Sequence, residues 1–260
     1  MAANLVRRTT KILVLNPNSS ARMTHALEQG LRHMELSQST EVHAYTAPGE
    51  SPESINDGED AQTSCRVVTK DLEETALLRQ YDAVLVACFS VHPLVGVLAE
   101  QEGEFGRLSV MGIFEASILT CLSLLRPNKK WGIVTTGKFW ESHLTQGVSQ
   151  FLGTQSQDLG KFAGVETTGL NAGDFHGGVD PEVVRKKLRE ATERLLSKGD
   201  VECVVMGCAG MAGLEEIIRS VALDKYGSSY AQELLVIDGV RAGVGLLEQV
   251  VRNKRAFRKS

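Results

Sequence analysis

The chain has 260 residues, 42% of them hydrophobic and 23% charged, with a net charge of −4. That supplies length and apolar content for one large or two small packed domains and excludes a disordered chain. The slightly acidic balance offers no basic field to nucleic acid or an anionic membrane, and the basic run from Arg252 to Lys259 reads as a solvated end. The first residues lack the apolar core of a signal peptide, and no segment approaches the roughly 20 apolar residues of a membrane helix. The expectation is a soluble, cytoplasmic protein.

In chain order the pattern predicts strand 11–16, helix 19–35, strand 41–46, a polar loop over 47–58, helix 59–79, strand 82–88, helix 93–101 and strand 107–113. It continues with helix 115–126, strand 130–136, helix 139–151, strand 162–168, a Gly-rich loop over 169–180, helix 181–198, strand 201–207, helix 211–222, strand 233–238 and helix 239–251. Met23, Leu27, Leu31 and Met34 recur at helical spacing, and Asp180-Pro181 supplies an N-cap with proline at the first helical position. Strands alternating with helices imply an α/β fold with parallel sheets, whose ligands sit at the carboxyl ends of strands.

The sequence also echoes itself. Cys88 ends the apolar run Ala83–Ala87 and Cys208 ends Val204–Gly207, at an offset of 120 residues, and Asn16 and Thr136 end two further strands at the same offset. Leu108–Ile113 and Leu234–Gly239 are in looser register. Two similar Rossmann-like lobes are expected, with both cysteines at the carboxyl ends of their strands. The C-terminal segment returns to the first unit in this scheme, giving a discontinuous first lobe of 8–114 plus 236–260 and a second of 115–235.

Five cysteines without a Cys-x-x-Cys pair form neither a disulfide framework nor a zinc site. Cys65, Cys121 and Cys203 fall on apolar stretches and read as small core hydrophobes. Cys88 and Cys208 are expected at strand ends before helix N-termini, a setting that lowers a thiol's pKa. His92 reads as a capping residue at a helix start, with catalysis the lesser reading. Gly132–Phe139 misses the phosphate-loop pattern because Phe139 has no hydroxyl, and Gly207, Gly210 and Gly213 miss the dinucleotide spacing. No serine elbow or clustered metal-ligand motif occurs.

An ordered set of motifs then spans residues 11 to about 250: Asn16-Pro17-Asn18-Ser19-Ser20, Pro52-Glu53-Ser54-Ile55, Ala87-Cys88-Phe89, Gly112-Ile113-Phe114-Glu115-Ala116, Thr135-Thr136, Gly207-Cys208-Ala209-Gly210-Met211 and Ile237-Asp238-Gly239. In these the chain resembles the Asp/Glu/hydantoin racemase superfamily, in its hydantoin and allantoin racemase branch. Phe114 stands where that branch usually has a small residue, and Ser90-Val91-His92 replaces its usual segment after the first cysteine; both would reshape a substrate pocket.

The resemblance implies a racemase of a 5-substituted hydantoin or allantoin-like ureide with no metal and no organic cofactor, acting on a small molecule and assembling as a homo-oligomer. It implies two pseudo-twofold-related lobes with the active site in the cleft between them, one cysteine per lobe, and assigns catalysis to Cys88 and Cys208. Substrate contacts fall to Asn16, Ser19, Ser20, Phe89, Ser90, Glu115, Thr135, Thr136, Gly207, Ala209 and Gly210. Two other readings stay open: a single-cysteine isomerase or decarboxylase of the same superfamily, and a non-catalytic protein that binds a nitrogen metabolite. The 169–180 loop either gates the cleft or merely connects elements.

Overall fold

The computed structural model describes residues 8–32, 34–100, 108–154 and 160–258. The last residue of the expected helix 93–101 and the first of strand 107–113 lie outside that set. Two four-stranded parallel sheets form. The first holds β1 (Thr10–Asn16), β2 (Thr40–Thr46), β3 (Ala83–Val86) and β4 (Ser109–Gly112) in the order β2-β1-β3-β4. The second holds β5 (Lys130–Thr135), β6 (Phe162–Thr167), β7 (Val201–Gly207) and β8 (Leu235–Asp238) in the order β6-β5-β7-β8. Parallel neighbours need crossovers, and helices supply them: α1 (Ala21–Leu31), α2 (Gly58–Thr75), α3 (Pro93–Glu100), α4 (Ile113–Leu124), α5 (Phe139–Leu152), α6 (Pro181–Leu196), α7 (Glu215–Tyr226), α8 (Ser228–Glu233) and α9 (Gly239–Phe257). Among the described residues no helix is long and apolar enough to cross a membrane.

The central strands are apolar throughout because both their faces are covered. On the outer face of the first sheet, Leu13, Leu15, Val84 and Val86 pack with Val68 and Leu72 of α2 and Leu94 and Leu98 of α3. On the second, Val134, Val204 and Met206 pack with Leu188 and Leu195 of α6 and Ile218 and Val221 of α7. Between the sheets Ile12, Val14 and Leu85 share one core with Ile133, Cys203 and Val205, joined by α4 and α9. The lobes therefore do not have separate interiors.

Strand β8 pairs with β7, Val205 opposite Ile237, so the chain remains in the second sheet through Asp238. The expected division at 235/236 falls inside this strand. From there α9 crosses back, packing along β1, β3, β4 and α4. Close approach requires its glycines: a Cβ on Gly243 would come within 2.3 Å of Leu85, and one on Gly239 within 2.8 Å of Ser117 Oγ.

The echo at 120 residues is broken by one position in the pairing. Lys130 is opposite Val201 but Trp131 is opposite Cys203, which leaves Glu202 as an extra residue in β7. Leu15 consequently faces Val86 in the first sheet, while its counterpart Thr135 faces Gly207 in the second. The extra residue serves as a tie, since the Glu202 carboxylate accepts from Arg126 N at 2.9 Å and from Arg126 Nε. Other differences are local: the expected helix 211–222 is a 3-10 turn at Ala209–Met211 followed by α7, and helix 59–79 stops where Ala76 takes a left-handed φ of 50°.

Candidate active site

Beyond the carboxyl ends of the two sheets, α1 of the first meets the Ala209–Met211 turn of the second. Beyond β1, Asn16 is 1% exposed and its side chain is engaged by its own loop: Nδ2 donates to Asn18 Oδ1 and Thr24 Oγ1, both at 3.0 Å, and Oδ1 accepts from Asn18 N at 3.2 Å. Ser19 Oγ donates to Ser51 O at 2.8 Å, and Ser20 caps α1 by accepting from Met23 N at 3.4 Å. The Pro52–Ile55 motif lies against this loop, with Ser19 N donating to Pro52 O at 3.0 Å. Asn16, Ser19 and Ser20 thus build the loop first, and any ligand contact is additional.

Cys88 lies one residue past the β3 residue Ala87, whose N–H donates to Leu15 O at 2.8 Å, and Cys208 follows Gly207 at the end of β7. Both are half-buried. Cys88 Sγ lies 3.4 Å from Ser90 Oγ, and Cys208 Sγ accepts from Gly210 N at 3.3 Å. Burial, with the charge of nearby Cys208 added, pushes the Cys88 thiol up to about 12 against the Ser90 hydrogen bond that lowers it. Burial likewise pushes Cys208 up to about 11, against the N–H groups of Gly210 and Met211. Cys208 is close enough for its charge to act on Cys88, which puts the two side chains near each other.

The expected lowering by helix N-termini is overturned. Helix α3 starts only at Pro93 and α7 only at Glu215, five and seven residues beyond the cysteines, leaving a short 3-10 turn as the nearest N–H array for Cys208. Helix-end stabilisation fades within the first turn, whereas withdrawal from water acts on the sulphur itself. Burial therefore favours the thiol form of both cysteines.

The surrounding residues divide by what remains available to a ligand. Thr135 Oγ1 donates to Gly207 O and is occupied. Thr136 continues β5 beside the end of β7; it is 3% exposed, and its hydroxyl makes no hydrogen bond among the described residues. Gly207 is packed rather than open, because a Cβ there would meet Ile133 and Thr135 at 2.7 Å. Gly210 offers its N–H to Cys208 Sγ, and Ala209 is half-buried in the same turn. Phe89 meets Phe114 edge to face at 5.6 Å and supplies an apolar wall. Glu115, half-buried at the start of α4, keeps one carboxylate oxygen buried without a hydrogen-bond partner among the described residues, and burial raises its pKa against the N–H groups of Glu115 and Gly112.

His92 is 2% exposed, accepts from Leu94 N through Nδ1 at 3.2 Å, and has Nε2 3.1 Å from Ser64 Oγ. Burial pushes it down to about 4, so it is a neutral scaffold residue at physiological pH. The 169–180 loop holds a 3-10 turn, Ala172–His176, that packs on the Ala209–Met211 turn next to Cys208. Its far side meets the β1 loop around a cavity of about 480 Å³ lined by Ser19, Ser20, Arg22, Glu53, Ser54, Gly173 and Asp174 among others. Sequence reasoning missed Arg22 and Asp174, which carry no motif, and the nearness of Cys121 to Cys203, whose thiols shift each other's titration in the core. No group of three or more His, Cys, Asp or Glu among the described residues is arranged to hold a metal.

Residues 12–247 match the family model described as Asp/Glu/Hydantoin racemase. The chain belongs to this family. An uncharacterized protein of Schizosaccharomyces pombe is 33% identical over 93% of this chain and 92% of its own length. A hydantoin racemase from a Pseudomonas species is 28% identical over 93% of this chain and 86% of its own length. Among solved structures, an allantoin racemase from Klebsiella pneumoniae superposes with a TM-score of 0.74 at 23% identity, covering 94% of this chain and 89% of that one. The racemase family has two-lobed α/β members with this sheet arrangement, and the chain is an isomerase by membership.

Proposed function

We propose that the chain racemises a ring ureide, a 5-substituted hydantoin or allantoin, by proton transfer between Cys88 and Cys208 without a metal or organic cofactor. The observation that carries the proposal is the pair of half-buried thiols on corresponding strand ends, with Cys208 near enough for its charge to raise the Cys88 pKa. The substrate class rests on relatives named as hydantoin racemases and on a structural neighbour named as an allantoin racemase.

Racemisation removes the proton of a carbon next to a carbonyl from one face and returns one to the other. One cysteine first loses its proton to solvent. Its thiolate takes the substrate's C5 proton and becomes a thiol, and the opposite thiol gives its proton to the other face and becomes the thiolate. The net charge of the pair is unchanged, and the roles exchange for the other enantiomer. The Thr136 hydroxyl and the N–H groups following each cysteine face the enolate oxygen, where donors lower the barrier most. Phe89 and Phe114 keep the ring out of water, and Asn16, Ser19, Ser20, Ser90, Glu115, Thr135, Gly207, Ala209 and Gly210 complete the pocket or hold its walls.

A single-cysteine isomerase would tolerate loss of one thiol, and a sensor would bind without turnover. Chiral chromatography of single-enantiomer hydantoins, allantoin and amino acids separates these. Racemisation of a ring ureide but not of free amino acids is expected, with full activity after dialysis against EDTA; binding without loss of optical purity refutes the proposal. The enzyme is proposed to act in the cytoplasm as a homo-oligomer, and light scattering showing a monomer at assay concentration would refute the latter.

A further inference from the structure

We propose that Ser90 is the positioning residue of Cys88: its hydroxyl holds the sulphur in place and donates to it whenever Cys88 acts as the base. The consequence for turnover rests on the proposed racemase reading, whereas the test needs no substrate.

Each cysteine has a hydrogen-bond donor two residues further on, and the two donors correspond, since Gly210 follows Ser90 at the same 120-residue offset that relates Cys208 to Cys88. In the second lobe the donor is backbone: Gly210 N donates to Cys208 Sγ at 3.3 Å. In the first lobe that backbone group is engaged elsewhere, because Ser90 N donates to Cys88 O at 3.0 Å. The partner of Cys88 Sγ is instead the Ser90 hydroxyl, 3.4 Å away, and this hydroxyl has no other hydrogen-bond partner among the described residues. Ser90 is 1% exposed, so water cannot readily replace the sulphur. A buried hydroxyl whose partner is a sulphur is satisfied best when that sulphur carries charge.

The turn that carries both residues is held at its two ends. Before Cys88, Ala87 N donates to Leu15 O at 2.8 Å; beyond Ser90, His92 accepts from Leu94 N at 3.2 Å and lies 3.1 Å from Ser64 Oγ. Ser90 therefore meets Cys88 in a fixed geometry.

The two donors differ in what they can do. A backbone N–H only donates, whereas a hydroxyl donates to a thiolate and turns to accept from a thiol S–H. Cys88 thus keeps the same partner when it takes a proton and when it gives one. A charged acceptor holds a donor more strongly than a neutral one, so the net bias is toward the thiolate. The other influences on the Cys88 proton, withdrawal from water and the charge of Cys208, both oppose ionisation, and the Ser90 hydrogen bond works against them. His92, in the same turn, is neutral at assay pH and adds no charge.

Iodoacetamide labelling at pH 8.5, followed by peptide mass spectrometry, gives the rates of Cys88 and Cys208 in one sample for wild type, Ser90→Ala and Ser90→Thr. Loss of a hydrogen bond to a charged acceptor should lower the Cys88 thiolate fraction about tenfold, and the more basic thiolate recovers about threefold of that. Ser90→Ala is therefore expected to slow Cys88 about threefold relative to Cys208, and Ser90→Thr, which keeps the hydroxyl, to restore the wild-type ratio. An unchanged ratio in Ser90→Ala overturns the inference, as does equal slowing by Ser90→Thr, which would show packing rather than the hydroxyl at work. Free-cysteine rates at both sites in Ser90→Ala would show that the hydroxyl holds the fold instead, and would also overturn it. Absence of racemisation by the wild type would overturn the racemase reading, while the labelling ratio would still decide the role of Ser90.

Discussion

The resting thiols give a quantitative expectation for alkylation. Cys208, with its pKa pushed up to about 11, is ionised at pH 7.5 in roughly one molecule in 3,000, against roughly one in ten for an ordinary thiol of pKa about 8.5. The more basic thiolate is intrinsically more nucleophilic and recovers about tenfold of that roughly 300-fold deficit. Iodoacetamide should therefore modify Cys208 about 30-fold more slowly than free cysteine at pH 7.5. Cys88, at about 12, should trail it by about threefold on the same reasoning. Both rates should climb about tenfold per pH unit through pH 9, because each unit multiplies the thiolate fraction by ten below the pKa. Cys65, Cys121 and Cys203 should lag behind both, since each is buried in the core. The assay is timed alkylation with peptide mass spectrometry at several pH values, with the ultraviolet absorbance of thiolate followed in parallel. Alkylation at the rate of free cysteine at pH 7.5, levelling off below pH 9, would show a resting thiolate and refute the burial argument. The free-enzyme kcat/KM profile shares this origin and should rise toward alkaline pH.

His92 predicts acid sensitivity. Its folded pKa lies near 4, below the ordinary 6.5, so the unfolded chain binds the proton more readily and stability falls as pH drops below 6.5. Between pH 7 and pH 5 this one residue should cost about 2 kcal/mol, measured as a shift in urea midpoint that His92→Gln abolishes; an equal shift in the variant would refute the assignment. Gly207→Ala should cost about 1–3 kcal/mol by overpacking β5 against β7 and should lower kcat by displacing Cys208. Unchanged melting and turnover would show that the strands yield freely there.

The fold was largely legible because its signals are local. All eight strands and the helices between them follow apolar runs and turn residues, and both cysteines stood at recognisable strand ends. Helix α8 escaped notice because it is six residues long and buries none of them, so it has no apolar stripe. The one-residue slip at Glu202 was invisible, since identical offsets in sequence do not report pairing across strands. Thiol acidity was misread for a related reason: desolvation comes from residues far apart in the chain, while the helix N-termini inferred from sequence begin several residues late. The partners of His92 and Asn16 also became visible only through the fold, Ser64 from α2 in one case and Thr24 from α1 in the other.

The most direct test of the two-thiol account is α-proton exchange in D₂O, followed by NMR and chiral chromatography on each pure enantiomer of the best ring ureide. Wild type should racemise both enantiomers, with deuterium entering C5. Cys88→Ser and Cys208→Ser should each abolish racemisation, and each should exchange the C5 proton of at most one enantiomer, the opposite one in the two variants. Near wild-type racemisation by either variant, or racemisation without deuterium at C5, would contradict proton transfer between Cys88 and Cys208.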